Sequence, residues 1–154
     1  MFDLASYLPY LVNRVGVRLA LAFGRELDRH KIALPMWRVM AALRQRGSER
    51  MGRLAAATSI ELSTLSRLVA GMERRGLVRR TRAREDARSV VVTLSESGAR
   101  IAQKLVPKAL RYEEMALKGF AQEEAEALKA MLARVYDNLG VLEEGEGRGL
   151  QPRR

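Results

Sequence analysis

The sequence changes its hydrophobic period between residues 62 and 94, and this change limits the folds that the chain can adopt. From Leu65 to Met72 the apolar residues recur at helical spacing, and Gly76 follows where a helix is expected to end. Two short runs rich in valine and threonine come next, at 77–82 and 89–94, with a polar segment between them. This pattern predicts a helix followed by a β-hairpin.

Helical patterns also lie on both sides of this segment. Pro9 and Pro35 each stand where the first turn of a helix is expected, and Gly47 stands where the second helix would end. Ser95 is placed to cap the helix that follows the hairpin. Apolar spacing predicts helices at 8–27, 35–46, 51–58, 62–75, from 96 onward, and at 122–139.

The net charge of +10 is concentrated in the middle of the chain. Residues 38–100 hold 14 of the 28 basic side chains and 6 of the 18 acidic ones, and all 14 basic residues are arginine. A planar guanidinium can hold a phosphate or a guanine edge with two parallel hydrogen bonds. This distribution favours a nucleic acid as partner, and on charge alone an arginine-rich proteome is the alternative explanation.

The helix at 62–75 is predicted to present a small, polar and basic face to solvent, because its apolar residues face the core. Small residues let a helix enter the major groove of duplex DNA, hydroxyls can bond phosphates or base edges, and an arginine can grip a guanine. Leu62 could contact a thymine methyl group or lie in the core. Each polar side chain could instead belong to an ordinary solvated helix face. The predicted DNA-reading residues of this helix are Ser63, Thr64, Ser66, Arg67 and Arg74.

The polar segment between the two strands carries a second group of candidates. Arginines cluster at the tip of the predicted hairpin, and the narrow minor groove of A·T-rich DNA concentrates the negative potential that attracts them. Their alternative role is to keep the surface solvated, or to contact phosphate alone. The candidates in this hairpin, the wing, are Arg82, Arg84, Asp86 and Arg88.

These elements predict a mainly α protein with a small β-hairpin wing, that is, a winged helix-turn-helix with long N- and C-terminal dimerisation helices. We expect a single domain over 1–154, with dimerisation helices at 1–33 and 96–142 and the winged helix-turn-helix DNA-binding region at 34–95. Residues 143–154 are rich in glycine and are predicted to form a disordered tail.

Five segments of the sequence follow one another in a distinctive order: LPMWRV at 34–39, LA at 54–55, STLSRL at 63–68, ERRGLV at 73–78, and the stretch from DAR at 86–88 to LS at 94–95. In order and spacing they resemble the multiple-antibiotic-resistance regulator (MarR) family, over nearly the whole chain. The resemblance implies a homodimer whose first and last two helices interlock, a recognition helix at about 62–75, and a wing in which Asp86 orients the loop and Arg88 enters the minor groove. The stretch RAREDAR at 82–88 keeps only the Asp-x-Arg core of the usual wing motif.

The same resemblance implies control by a small molecule, often an aromatic acid, or by oxidants or zinc. The sequence has no cysteine for thiol oxidation and a single histidine, His30, so a zinc site with several imidazoles is also excluded, although carboxylates leave a weak zinc site open. Five side chains could line an apolar pocket with a cation for a carboxylate, and plain core or dimer interface is their alternative role. They are Tyr10, Arg14, Met36, Trp37 and Tyr112.

No catalytic triad, phosphate-binding glycine loop or metal motif occurs in the sequence, so neither enzymatic activity nor a cofactor is expected. The weakly charged stretch at 7–23 contains Arg14 and Arg18 and is predicted to be a core helix. The N-terminus shows no basic leader, which predicts a cytoplasmic protein. The predicted function is that of a sequence-specific repressor, which binds a pseudo-palindromic DNA operator as a homodimer, with release by a small aromatic or acidic effector left open. The alternative is a basic protein that binds RNA or a membrane surface.

Overall fold

The computed structural model describes residues 2–82 and 89–149, with side chains up to residue 140. In this part of the chain, six α-helices and one three-stranded sheet form a mainly helical fold, which confirms the predicted fold class. A short 3-10 helix, Leu4–Ser6, comes first. The helices are α1 (Leu8–Asp28), α2 (Leu34–Arg46), α3 (Met51–Thr58), α4 (Leu62–Arg74), α5 (Glu96–Ala116) and α6 (Gln122–Gly149), and the strands are β1 (Ser48–Arg50), β2 (Val78–Arg82) and β3 (Val90–Leu94).

The described residues divide into two compact units, one that extends to Glu114 and one that begins at Met115. In the second unit, α6 continues past Leu139, where the sequence predicts its end, because leucine and glutamate at 142–144 favour helix. The disordered tail predicted for 143–154 therefore stays a prediction for residues 150–154 alone, which lie outside the described residues.

The sheet contains one strand that the sequence did not indicate. The order is β1-β3-β2 with both pairings antiparallel, and Val92 of β3 lies opposite Glu49 on one side and Arg80 on the other. Strand β1 has the sequence Ser-Glu-Arg and lacks any alternation of apolar and polar residues. Its pairing with the open edge of β3 makes it a strand, which is a tertiary effect that local propensity does not report.

The core of the first unit is formed by the end of α1, by α2 to α5 and by the two hairpin strands. Pro9 and Pro35 lie in the first turns of α1 and α2, as predicted, because a helix start needs no amide donor there. Gly47 ends α2 with φ 78°, a conformation that glycine adopts without steric cost. The fully buried residues include Leu27, Met40, Leu43, Leu54, Leu65, Val69, Met72, Val92 and Leu105.

Ser95 joins the hairpin to α5. Its hydroxyl oxygen accepts the backbone N–H of Gly98 at 3.0 Å, as expected of a helix cap, and its own N–H donates to the carbonyl of Leu77 at 3.0 Å. Its hydroxyl donates to the carbonyl of Gly76. Gly98 lies so close to this junction that a Cβ atom placed on it would be 2.0 Å from the Leu77 carbonyl oxygen.

Many apolar side chains of α1 and α6 lie exposed in the single chain, although the sequence pattern places them in apolar stripes. Of the stripe on α1, only Phe23 and Leu27 are buried. On α6 the apolar residues Met131, Leu132 and Leu139, which recur at helical spacing, are 54%, 43% and 55% exposed. The exposed stripe on α1 consists of Leu8, Leu11, Val12, Val15 and Leu19.

Candidate DNA-binding surface

Helices α3 and α4 form a helix-turn-helix because their apolar residues meet in the core. Leu54 of α3 and Leu65, Val69 and Met72 of α4 are fully buried. The turn between the helices begins at Ser59, whose φ of 52° is left-handed and changes the direction of the chain before α4 begins at Leu62. The opposite face of α4 is left to solvent. All five predicted reading residues lie exposed there: Ser63, Thr64, Ser66, Arg67 and Arg74.

Glu61 caps the recognition helix α4, and the sequence did not indicate this role. Its carboxylate accepts the backbone N–H groups of Ser63 at 2.9 Å and Thr64 at 3.0 Å, and it also accepts the hydroxyl proton of Ser63. These hydrogen bonds, led by the Ser63 hydroxyl, lower the pKa of Glu61 to about 2. The Ser63 hydroxyl therefore donates its proton within the protein, and its oxygen can still accept a hydrogen bond from a donor on another molecule. Leu62, whose place the sequence left open, is 51% exposed beside it.

Arg75 makes hydrogen bonds within the protein, whereas its neighbour Arg74 lies on the exposed face of α4. Its guanidinium donates to the carbonyl of Lys31 at 2.6 Å and to the sulfur of Met36 at 3.3 Å. Lys31 has a φ of 54° and lies three residues after the end of α1, so this contact ties the end of α4 to the corner between α1 and α2. An open cleft of about 410 Å³ between α2 and α4 is bordered by Met36, Arg67, Arg74 and Arg75.

The first strand of the wing begins next to the end of α4. Arg82 is exposed at the end of β2, while the predicted wing residues Arg84, Asp86 and Arg88 lie outside the described residues. The sequence did not single out Arg80, two positions before Arg82. Its guanidinium forms an ion pair with Glu73 in the last turn of α4, with Nη2 to Oε2 at 2.6 Å. Hydrogen bonds from the Arg80 side chain are the largest cause that lowers the pKa of Glu73.

The five residues proposed for a ligand pocket fall into three separate groups. The Arg14 guanidinium lies 5.4 Å from the centre of the Tyr10 ring. Trp37 and Tyr112 flank Phe23 edge to face, with ring centres 5.5 and 5.7 Å from it. Since a helix rises about 1.5 Å per residue, Tyr10 and Phe23 are about 20 Å apart along α1.

Met36, the last of the five, is buried and lines the cleft between α2 and α4. Its neighbour Trp37 lines a different open cleft, of about 490 Å³, between α2 and α3. A single protomer therefore does not bring the five side chains together. Phe23, which was not among the five predicted pocket residues, is the centre of the aromatic group.

Over residues 2–82 and 89–149, we find no helix with the length and apolar content that a membrane span requires. The stretch at 7–23, predicted to be a core helix, is helical from Leu8 onward, but in the single chain only Phe23 of this stretch is buried.

Comparison with known proteins gives the same family by sequence and by structure. The model of the MarR family matches residues 32–90, which include α2 to β2. The HTH-type transcriptional regulator PecS of Dickeya dadantii is 30% identical over 85% of this chain and 83% of its own length. The structure of the MarR family transcriptional regulator SPO1453 from Silicibacter pomeroyi DSS-3 is 31% identical, with a TM-score of 0.75, and the match covers 90% of this chain and 99% of that one.

A mutant of E. coli MarR, solved in complex with operator DNA, has the same fold, with a TM-score of 0.75 at 22% identity over 83% of this chain and 92% of that chain. The resemblance inferred from the five sequence segments is confirmed by these matches. The chain belongs to the MarR family, whose proteins are DNA-binding transcriptional regulators and not enzymes.

Proposed function

We propose that this protein is a homodimeric repressor that binds a pseudo-palindromic operator, with α4 in the major groove and the wing in an adjacent minor groove. The observation that carries the proposal is the exposed face of α4, which is small, polar and basic and lies next to a strand that ends in Arg82. The complex of E. coli MarR with operator DNA supports the same use of this fold.

On α4, Arg67 is the residue that we assign to a base edge. It lies one turn after the helix start, and the N-terminal part of a recognition helix is the part that contacts bases. Its neighbours Ser63 and Ser66 are small, so the helix backbone can approach the groove closely. Arg74 lies two turns further on, about 10 Å along the axis, and we assign it to phosphate.

The homodimer is proposed because the single chain exposes more apolar surface than a monomer normally does. On α1 the exposed stripe includes Leu11, Val15 and Leu19, and on α6 it includes Met131 and Leu132. A two-fold dimer would cover such stripes with the same stripes of a second copy. The same symmetry would place two α4 helices on successive major grooves of one DNA face.

We also propose that a small aromatic or acidic effector releases the protein from DNA in the cytoplasm. The support is the aromatic group of Phe23, Trp37 and Tyr112, where ring faces and edges meet within 6 Å. Tyr10 and Arg14 would have to reach such a ligand from the second copy, because in one chain they lie too far along α1. The guanidinium of Arg14 would then pair with the acid.

The test is DNA binding by Arg67→Ala, measured by fluorescence anisotropy on a duplex recovered from a random library. We expect a loss of about 1–3 kcal/mol and relaxed preference at one base position in each half-site. Arg29→Ala is the matched control, because Arg29 is an exposed arginine at the end of α1 and is paired with Glu26. An equal loss on all sequences would assign Arg67 to phosphate instead.

The rival assignments to RNA or a membrane surface need their own controls. Duplex RNA should compete poorly with duplex DNA, because the deep, narrow major groove of RNA does not admit a helix. The protein should not co-sediment with liposomes of anionic lipid at physiological salt. Effective competition by RNA, or sedimentation with liposomes, would favour the rival concerned.

A further inference from the structure

The outer part of strand β2 has little apolar packing to hold it in place. Of the five described residues of β2, Val78 alone is buried, and the strand is exposed from Arg79 to Arg82. One edge of β2 pairs with β3, and its other edge is not paired with a strand among the described residues. Its strand partner β3 is paired on its other edge with β1 and has Val92 buried in the core, so beyond Val78 the packing of the core reaches β2 only through the backbone pairing with β3.

Glu73 contacts this strand with both of its carboxylate oxygens. Oε1 accepts the backbone N–H of Arg80 at 3.0 Å, and Oε2 accepts the side-chain Nε of Arg80 at 2.7 Å. Nη2 of the same guanidinium lies 2.6 Å from Oε2. One carboxylate thus binds both the open backbone edge of the strand and a side chain that the strand carries. A contact to the backbone and the side chain of one residue limits both rotation and translation of the strand.

The helix dipole does not favour an acid at this position, because Glu73 lies in the last turn of α4, where the dipole favours cations. Glu73 also adds negative charge to a surface that is proposed to meet DNA phosphates. The contact with Arg80 is the compensating interaction that the structure shows.

We propose that Glu73 is a positioning residue, which holds the first strand of the wing at a defined angle to the recognition helix so that α4 and Arg82 can contact DNA together. The proposal rests on the proposed DNA-reading function of α4 and the wing. It assigns to Glu73 and Arg80 a role in binding geometry, whereas neither residue needs to contact DNA itself.

The first test measures the geometry without DNA. The sequence has no cysteine, so Ser66→Cys in α4 and Thr81→Cys in β2 give two unique positions for spin labels. We expect double electron-electron resonance to give a narrow distance distribution in the parent protein, diluted with unlabelled chain, and a clearly broader one in Glu73→Gln. The exchanged pair Glu73→Arg with Arg80→Glu should narrow it again. An unchanged distribution in Glu73→Gln would overturn the proposal.

The matched control is Glu96→Gln, which removes the same charge and breaks an exposed pair with Arg100 four residues away. It should leave the distance distribution as it is in the parent protein. A similar broadening in the control would show that the loss of another surface carboxylate also makes the distance between α4 and β2 more variable. This result too would overturn the assignment to Glu73.

The second test measures DNA affinity against salt on a duplex recovered by selection. We expect Glu73→Gln to bind about two- to five-fold more weakly than the parent protein, the effect of losing an exposed ion pair. The slope of log K against log salt should become shallower, since wing cations lose phosphates. Simple electrostatics gives the opposite result, because removal of a negative charge should tighten binding. Tighter binding by Glu73→Gln would therefore contradict the proposal.

The two tests also separate this proposal from the function on which it depends. If the parent protein and Glu96→Gln select no DNA sequence, the proposed function fails, whatever the spin labels report. If both bind the selected duplex and Glu73→Gln binds it equally well, the function stands and the positioning role fails.

Discussion

Replacement of Gly98 by alanine tests the junction between the hairpin and α5. A Cβ atom at this position would lie 2.0 Å from the carbonyl oxygen of Leu77, 3.0 Å from its carbonyl carbon and 3.3 Å from Cδ2 of Leu94. The nearest atoms belong to the backbone, and the same oxygen already accepts the N–H of Ser95. The chain can therefore relieve the clash only if α5 moves away from β2 by more than about 1 Å, an estimate based on normal packing distances.

The size of the expected loss in stability follows from two opposing contributions to the free energy of unfolding. Overpacking of a tight site costs about 1–3 kcal/mol, and a clash with backbone belongs at the upper end of that range. Alanine in place of a helical glycine returns up to about 1 kcal/mol. The net loss is about 2 kcal/mol, which for a chain of this size lowers the melting temperature by about 4–8 °C.

Gly52→Ala is the matched control, since Gly52 is also helical and, apart from its chain neighbours and the nearby backbone of its own helix, no described atom lies within 4 Å of the position that an alanine Cβ would occupy there. We expect it to raise the melting temperature by about 2–4 °C. Both variants should be melted at the same protomer concentration, because dimerisation makes the midpoint depend on concentration. If Gly98→Ala is as stable as Gly52→Ala, the close approach of α5 to Leu77 is wrong.

Three further predictions concern the recognition helix and the wing. Glu61→Gln should lower the melting temperature at pH 7. Because folding lowers the pKa of this carboxyl from 4.5 to about 2, the carboxyl stabilises the protein only while it is ionised, and the difference between the two proteins should disappear as the pH falls from 4.5 to about 2. A difference in calorimetry that does not depend on pH would contradict the cap. Arg75→Ala should lower the free energy of unfolding, measured in urea, by about 1 kcal/mol, because it removes the hydrogen bond to the Lys31 carbonyl. Arg79→Ala, at an exposed arginine, is the control, and equal stabilities of the two variants would refute the prediction. Arg88→Ala should make the slope of log K against log salt shallower by about 2 for a dimer, and an unchanged slope would exclude this wing arginine from the interface.

Most of the fold could be predicted from the sequence because its signals are local. Helical spacing and the prolines at 9 and 35 locate the starts of α1 and α2, and Gly76, with a φ of 68°, follows the end of α4 as expected. Strand β1 could not be predicted in this way, because only its pairing with β3 distinguishes it from a polar loop.

The candidate surface was predictable to a lesser degree. The exposure of Arg67 follows from helix periodicity, since Leu65 and Val69 must face the core. The partners of polar groups depend on distances between elements, so the contact of Glu73 with Arg80 was not visible in the spacing. Glu61 is a partial exception, because an acidic residue at a helix start interacts favourably with the helix dipole, and this signal is present in the sequence.

The most direct test of the whole account is selection of bound duplexes from a random DNA library. We expect one enriched motif with two related halves in inverted orientation, about 10 base pairs apart from centre to centre, because two symmetric α4 helices would enter successive major grooves on one face of the DNA. Arg67→Ala should then lose preference at the same position in both halves. Recovery of no enriched sequence, or of a single asymmetric half-site, would contradict the account.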